Sequence, residues 1–171
     1  LSDALVEDNS LYLGNDPSST TDTAEYNVAV GTTALDAVTT GDKNTAVGQE
    51  ALGYNTTGNN NAALGHNALN RNTSGTYNTA TGAVALYSNT TGQYNTALGN
   101  SALRLNTTAD YNTALGTQAL ELNTTGVSNT ASGMYALRDN STGSYNTAVG
   151  YQTGDVITTG SNNTIIGYGA D

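Results

Sequence analysis

The chain of 171 residues has no cysteine, no tryptophan and no phenylalanine, and one residue each of proline, methionine and histidine. Without cysteine there is no disulfide scaffold, no thiol nucleophile and no cysteine-ligated metal. Four residues are basic (Lys43, Arg71, Arg104 and Arg138) against fourteen acidic ones, a net charge of −10. The positive surface that a nucleic-acid partner requires is therefore missing. No apolar run approaches the ~18–20 residues of a membrane-spanning helix, so membrane insertion is not expected. Charged residues amount to 11% and hydrophobic ones to 36%, below the roughly 25% and 45–50% of ordinary globular domains. Disorder does not follow, because disordered segments carry high charge and few β-branched residues, whereas this chain has 30 Thr. Together with 23 Asn and 20 Gly, Thr makes up 73 of the 171 positions.

What is present is a repeat. From Gly14, a step of 17 lands on Gly31, Gly48, Gly65, Gly82, Gly99, Gly116, Gly133, Gly150 and Gly167. Four positions before each, from Asn27 to Asn163, stands an asparagine. The unit reads N-T-A-V/L-G-x-x-A-L-x-x-N-T-T-G-x-Y, with Asn95 to Tyr111 as its clearest copy. Its places are numbered 1 to 17 from that first asparagine. A period without insertion or deletion means that each unit stacks in register on the last, which is the mark of a solenoid. Seventeen residues are too few for a helix pair (about 34) or a leucine-rich repeat (about 20–29). The sequence thus predicts an all-β fold, a single parallel β-solenoid (β-roll) of about ten 17-residue coils over residues 10–171. Each coil is expected to contain two extended segments and two corners, with the A-L stretch forming either a second strand or a short helical turn. Residues 1–9 are expected to act as an N-terminal cap or an inter-subunit segment.

Place 3 is Ala in eight consecutive units, Ala29 to Ala148, and becomes Tyr12 and Ile165 at the two ends. Place 4 varies in bulk. Since neighbours in a strand point to opposite faces, one of the two rows fills the coil. The expectation is that place 4 does, and that the Ala row, Ala97 among it, is either merely tolerated on the outside or kept small by close packing on another chain. The ladder Leu35, Leu52, Leu69, Leu86, Leu103, Leu120 and Leu137 belongs inside.

Catalytic chemistry has no foothold in this pattern. His66 stands at a variable place, the acids form no ladder, and the Gly-Gly-x-Gly-x-Asp repeat of calcium-binding β-rolls is missing. No nucleophile elbow, zinc helix or phosphate loop occurs. The expectation is no enzyme, with no catalytic, cofactor-binding or metal-ligating residue. Seven N-x-S/T sequons, at Asn55, Asn72, Asn89, Asn106, Asn123, Asn140 and Asn162, are candidate glycosylation sites. The alternative is that Asn-Thr-Thr-Gly simply turns well. Thr, Asn and Tyr ladders also suit an ice- or polysaccharide-binding face, Tyr77, Tyr94 and Tyr111 being successive at place 17.

The N-V-A-V-G of Asn27 to Gly31, and the N-T-A-V-G of later units, resemble the head repeat of trimeric autotransporter adhesins. Arrays of N-T-A-V-G…A-L…N-T-T-G are similar to segments of bacteriophage tail fibres. The resemblance runs from about Ser10 to Gly167, with a coil a few residues longer than the adhesin one. It implies a left-handed β-roll, a trimer, and an extracellular, cell-surface or virion setting. The implied role is a structural or adhesive fibre subunit that self-associates and contacts a surface glycan or receptor. The ends are more apolar than the middle, so Leu1, Leu5, Leu11, Tyr12, Ile165, Ile166 and Tyr168 are candidate subunit contacts. They are expected in a head-to-tail filament in which one chain's N-terminal segment completes a neighbour's last coil.

Overall fold

The computed structural model describes residues 4–7 (as backbone), 9–14 and 23–171. Its strands are β1 (Ala4–Glu7), β2 (Ser10–Leu13), β3 (Val28–Val30), β4 (Thr45–Val47), β5 (Ala62–Leu64), β6 (Thr79–Thr81), β7 (Thr96–Leu98), β8 (Thr113–Leu115), β9 (Thr130–Ser132), β10 (Thr147–Val149) and β11 (Thr164–Ile166). They form one sheet in sequential order. From β2 to β11 all pairs are parallel, each residue opposite its equivalent 17 positions on, as Ala97 is opposite Ala114. The chain is an all-β parallel solenoid. Ten rungs enclose nine turns rather than ten, and nine spacings of ~4.8 Å give a stack of ~43 Å.

The first strand departs from the pattern. β1 pairs antiparallel with β2, Ala4 opposite Leu13, and lies along the edge of β2 that no coil covers. Residues 4–7 thus pair with their own chain's β2. Leu1 lies outside the described residues, and so does the side chain of Leu5.

Each coil has one strand, not two, and no helical turn: the A-L stretch is a run of turns. Its backbone is unusual. Places 7, 9 and 17 are left-handed at non-glycine residues, φ being +57° at Ser101, +51° at Leu103 and +60° at Tyr111. An L-residue in this region costs roughly 1–2 kcal/mol. The conformation lets the Leu103 N–H donate along the axis to the Ala119 carbonyl (3.0 Å), and the contact recurs along the Leu ladder. Stacking thus overrides local preference.

The inward row is place 3, contrary to expectation. Ala97 is 0% exposed within its own chain, whereas Leu98 is 39% exposed. The reason is room: the Leu ladder at place 9, also buried, fills the interior opposite the strand. The last turn shows the two places sharing one volume. There Gly154 replaces the leucine, and Ile165 replaces the alanine. A Cβ built on Gly154 would sit 3.2 Å from Cδ1 of Ile165 and 3.1 Å from Cδ2 of Leu137. Tyr12, at the other end of the Ala row, is likewise wholly buried. Ala97 and Tyr12 are therefore interior residues and not subunit contacts. Ala97→Leu is expected to cost about 1–3 kcal/mol by overpacking, and Leu98→Ala less than about 1 kcal/mol; urea melts of the two variants check the order.

The core is also partly polar. At place 1, Asn95 donates its N–H to Oδ1 of Asn78 (3.0 Å) and its Nδ2 to the Ala109 carbonyl (2.8 Å), while its own Oδ1 accepts the Asn112 N–H (3.0 Å). At place 12, Asn89 donates Nδ2 to Oδ1 of Asn72 (2.9 Å) and to the Gly92 carbonyl (3.0 Å). That carbonyl also accepts Nδ2 of Asn78 at 2.8 Å. Two asparagine ladders thus converge on one backbone carbonyl per coil, and amides that would be costly to bury alone are satisfied. Asn140 Oδ1 is left without a donor, because the next coil has Ile157 at that place.

Candidate functional site on the outer sheet face

With places 1 and 3 inside, places 2 and 4 of every strand point outward. Place 2 carries Thr45, Thr79, Thr96, Thr113, Thr130, Thr147 and Thr164. Place 4 carries an exposed aliphatic row that includes Leu64, Leu98, Leu115, Val149 and Ile166. The two rows run parallel, rungs ~4.8 Å apart and places 2 and 4 about 6.6 Å apart along the strand. Just before them in the chain, place 17 presents exposed Tyr26, Tyr77, Tyr94, Tyr111 and Tyr145. Tyr77, Tyr94 and Tyr111 stack with centroids 4.9 and 5.2 Å apart and planes within 3°, which is the rung repeat carried outward by the rings. Hydroxyl, aliphatic and aromatic residues thus line up along the sheet, the aliphatic row broken by Thr81 and Ser132 and the aromatic one by Lys43, Asn60, Ser128 and Asn162.

Several expected site residues lie elsewhere. Asn55, Asn72, Asn89, Asn106, Asn123 and Asn140 are 0% exposed, and their Nδ2 atoms donate within the core. An oligosaccharide has no access to them, so these six sequons are turn and core sequence. Asn162 alone of the seven is exposed. The signal was present in the sequence: place 12 is Val38 and Ile157 near the two ends, and apolar substitutes mark an interior position. Leu11 and Ile165 are half-buried, while Ile166 and Tyr168 are exposed.

The corner threonines divide by place. At place 13 the hydroxyls donate to the carbonyl of the next coil, as from Thr56 to Thr73 (3.0 Å) and from Thr90 to Thr107 (3.0 Å). At place 14, Thr57, Thr91, Thr108 and Thr125 are exposed.

His66 is on the surface, with Nδ2 of Asn67 2.9 Å from its Nε2. Among the described residues no three His, Cys, Asp or Glu side chains are grouped as metal ligands, and no helix is long and apolar enough to cross a membrane. Arg104 pairs with Glu121 in the next coil (2.8 Å) and Arg138 with Asp139 (2.8 Å). The hydrogen bond from Arg138 holds the Asp139 carboxyl below its usual range. Glu121 is buried, whereas the Arg138–Asp139 pair is at the surface, where such a pair contributes at most about 1 kcal/mol.

No protein-family model, curated protein or solved structure matches the chain.

Proposed function

We propose that the chain is a non-enzymatic rod, a structural or adhesive fibre element working outside the cell or on a virion, that associates side by side with copies of itself through the outer sheet face. The supporting observation is the place-4 row: Leu64, Leu98, Leu115, Val149 and Ile166 stay exposed, although the fold has an interior and a hydroxyl-bearing residue would suit water better. Thr81 and Ser132 hold the same place without disturbing the strand, so nothing in the coil itself demands an apolar residue there. Two copies aligned in parallel present the same 17-residue repeat to each other, so one favourable contact recurs at every rung. The resemblance to adhesin heads and tail fibres points the same way, towards a trimer.

The test is light scattering after gel filtration, with negative-stain images, on the wild type and on Leu98→Asp/Leu115→Asp. The wild type is expected as a defined oligomer or a filament and the double variant as a monomer with its melting temperature nearly unchanged, since both side chains are on the surface. A wild type that stays monomeric up to its solubility limit overturns the reading.

A second reading, in which the face itself holds ice or a polysaccharide, is favoured by the stacked Tyr77–Tyr94–Tyr111 rings. It loses the asparagine ladders, which are buried, and is left with tyrosine and threonine. Under it, Tyr94→Ala lowers ligand binding and leaves oligomer size alone.

A further inference from the structure

One surface breaks the periodicity of the turns. Place 10 is Asp36, Gly53, Asn70 and Tyr87 in successive coils, and place 11 gives Tyr54 and Arg71. Gly53 is buried, the Asn70 amide packing where its side chain would lie. Two adjoining hollows of about 220 and 410 Å³ open there, sharing Glu50, Tyr54 and Asn70 in their walls. The larger has the size of a small-molecule site, roughly 300–1,000 Å³. Asn70 is 2% exposed and donates Nδ2 to the Glu50 carbonyl at 2.9 Å, which fixes the floor. Tyr54, 61% exposed, is one wall. Tyr87 is the other, with the Arg71 guanidinium 5.1 Å from its ring centre.

We propose that this groove binds a neutral saccharide about two rings long. An aromatic face with negative π density accepts the weakly positive C–H face of a pyranose, and Tyr54 offers such a face. Sugar hydroxyls donate to the Asp36 and Glu50 carboxylates in charge-assisted hydrogen bonds, and Arg71 donates to hydroxyl or ring oxygen. The composition argues against other ligands. Phosphates and uronates meet two carboxylates on a chain of net charge −10. A bare ammonium ion faces Arg71, and an aliphatic ligand strips water from the carboxylates without replacing its hydrogen bonds. The groove is built from places 7, 10, 11 and 13, not from the strand places of the outer face, and the proposal does not depend on self-association.

The experiment is saturation-transfer NMR with calorimetry, using cellohexaose, maltohexaose and mannohexaose as neutral probes. A hyaluronan hexasaccharide serves as the acidic probe and a chitosan hexamer as the cationic one. At least one neutral probe is expected to bind, about tenfold more weakly to Tyr54→Ala and severalfold more weakly to Glu50→Gln, with affinity unchanged in Tyr111→Ala, which alters only the outer face. The proposal is overturned if no neutral probe binds, if the acidic or cationic probe binds better, or if Tyr54→Ala and Glu50→Gln bind as the wild type does. Oligomer size, read on the same samples, reports on the outer face separately, so failure of one reading leaves the other standing.

Discussion

Gly99→Ala is expected to lower the unfolding free energy by about 4 kcal/mol, a large effect for a single methyl group. Two causes add. Gly99 has φ +141°, in a region that costs an L-residue of order 1–3 kcal/mol. A Cβ there would also lie 2.5 Å from both the carbonyl carbon and the oxygen of Gly116 in the next coil, and 2.9 Å from the Thr117 nitrogen. Those atoms are backbone, held by the stacking of successive rungs, so relief requires opening the rungs themselves. Overpacking of a fixed neighbour typically costs another 1–3 kcal/mol. Urea denaturation measures the loss as a shift in midpoint. A variant within 1 kcal/mol of the wild type would show that the rungs are not held at this spacing. A Cβ at place 15 would be just as crowded, 2.5 Å from the Ala109 carbonyl at Gly92, yet Ala24 and Ala109 stand at that place; what sets place 5 apart, and goes with glycine in every unit, is its positive φ.

The second expected result is a contrast between two buried asparagines. Asn95→Val should cost about 3–5 kcal/mol, and Asn89→Val about 1–2 kcal/mol. Both side chains are fully buried amides, and burial alone would rank them together. Their partners differ. Asn95 Oδ1 accepts the backbone N–H of Asn112, and its removal orphans a buried backbone donor at roughly 1–3 kcal/mol, although the Ala109 carbonyl keeps its bond from Asn106. Asn89 Oδ1 accepts only the side-chain amide of Asn106, and the Gly92 carbonyl keeps its bond from Asn78 when Asn89 is gone. The chain itself follows this rule. Place 12 becomes Val38 and Ile157 near the ends, whereas place 1 changes only to Ser10, whose hydroxyl still accepts the Asn27 N–H at 2.9 Å. Equal losses in the two variants would refute the assignment of roles.

The period made the architecture legible. Glycine at Gly14 and every 17 residues after it forces one coil per unit, and a stack of such coils has parallel strands. Local conformation was harder to read. Leu35 and its successors sit at φ near +51°, where leucine is intrinsically disfavoured, so no propensity argument points there; the inter-coil bond from each Leu N–H stabilises it. The direction of places 3 and 4 is carried by two residues: Thr81 and Ser132 interrupt the aliphatic row at place 4, and a hydroxyl in that row is at home in water. Bulk marks the interior of a wide core, whereas in so narrow a coil the residue facing the leucine must be small. The groove near Tyr54 was not legible, because a period reports what recurs and the groove is made of what does not.

The span of the stacking bonds has a further consequence. Among the described residues, strands and their stacking bonds meet the coil before and the coil after, typically 17 positions away. Separation in sequence between partners therefore does not grow with chain length, and neither does the loop entropy of closing the next coil. Folding can spread from any point by adding neighbours, at a rate per coil that does not depend on how many follow. Adding or removing one 17-residue unit would change the reach of the rod by ~4.8 Å without altering the surroundings of residues more than one coil away. Outward side chains are then free to differ from rung to rung, and the scaffold can display an aperiodic message on a fixed line spacing.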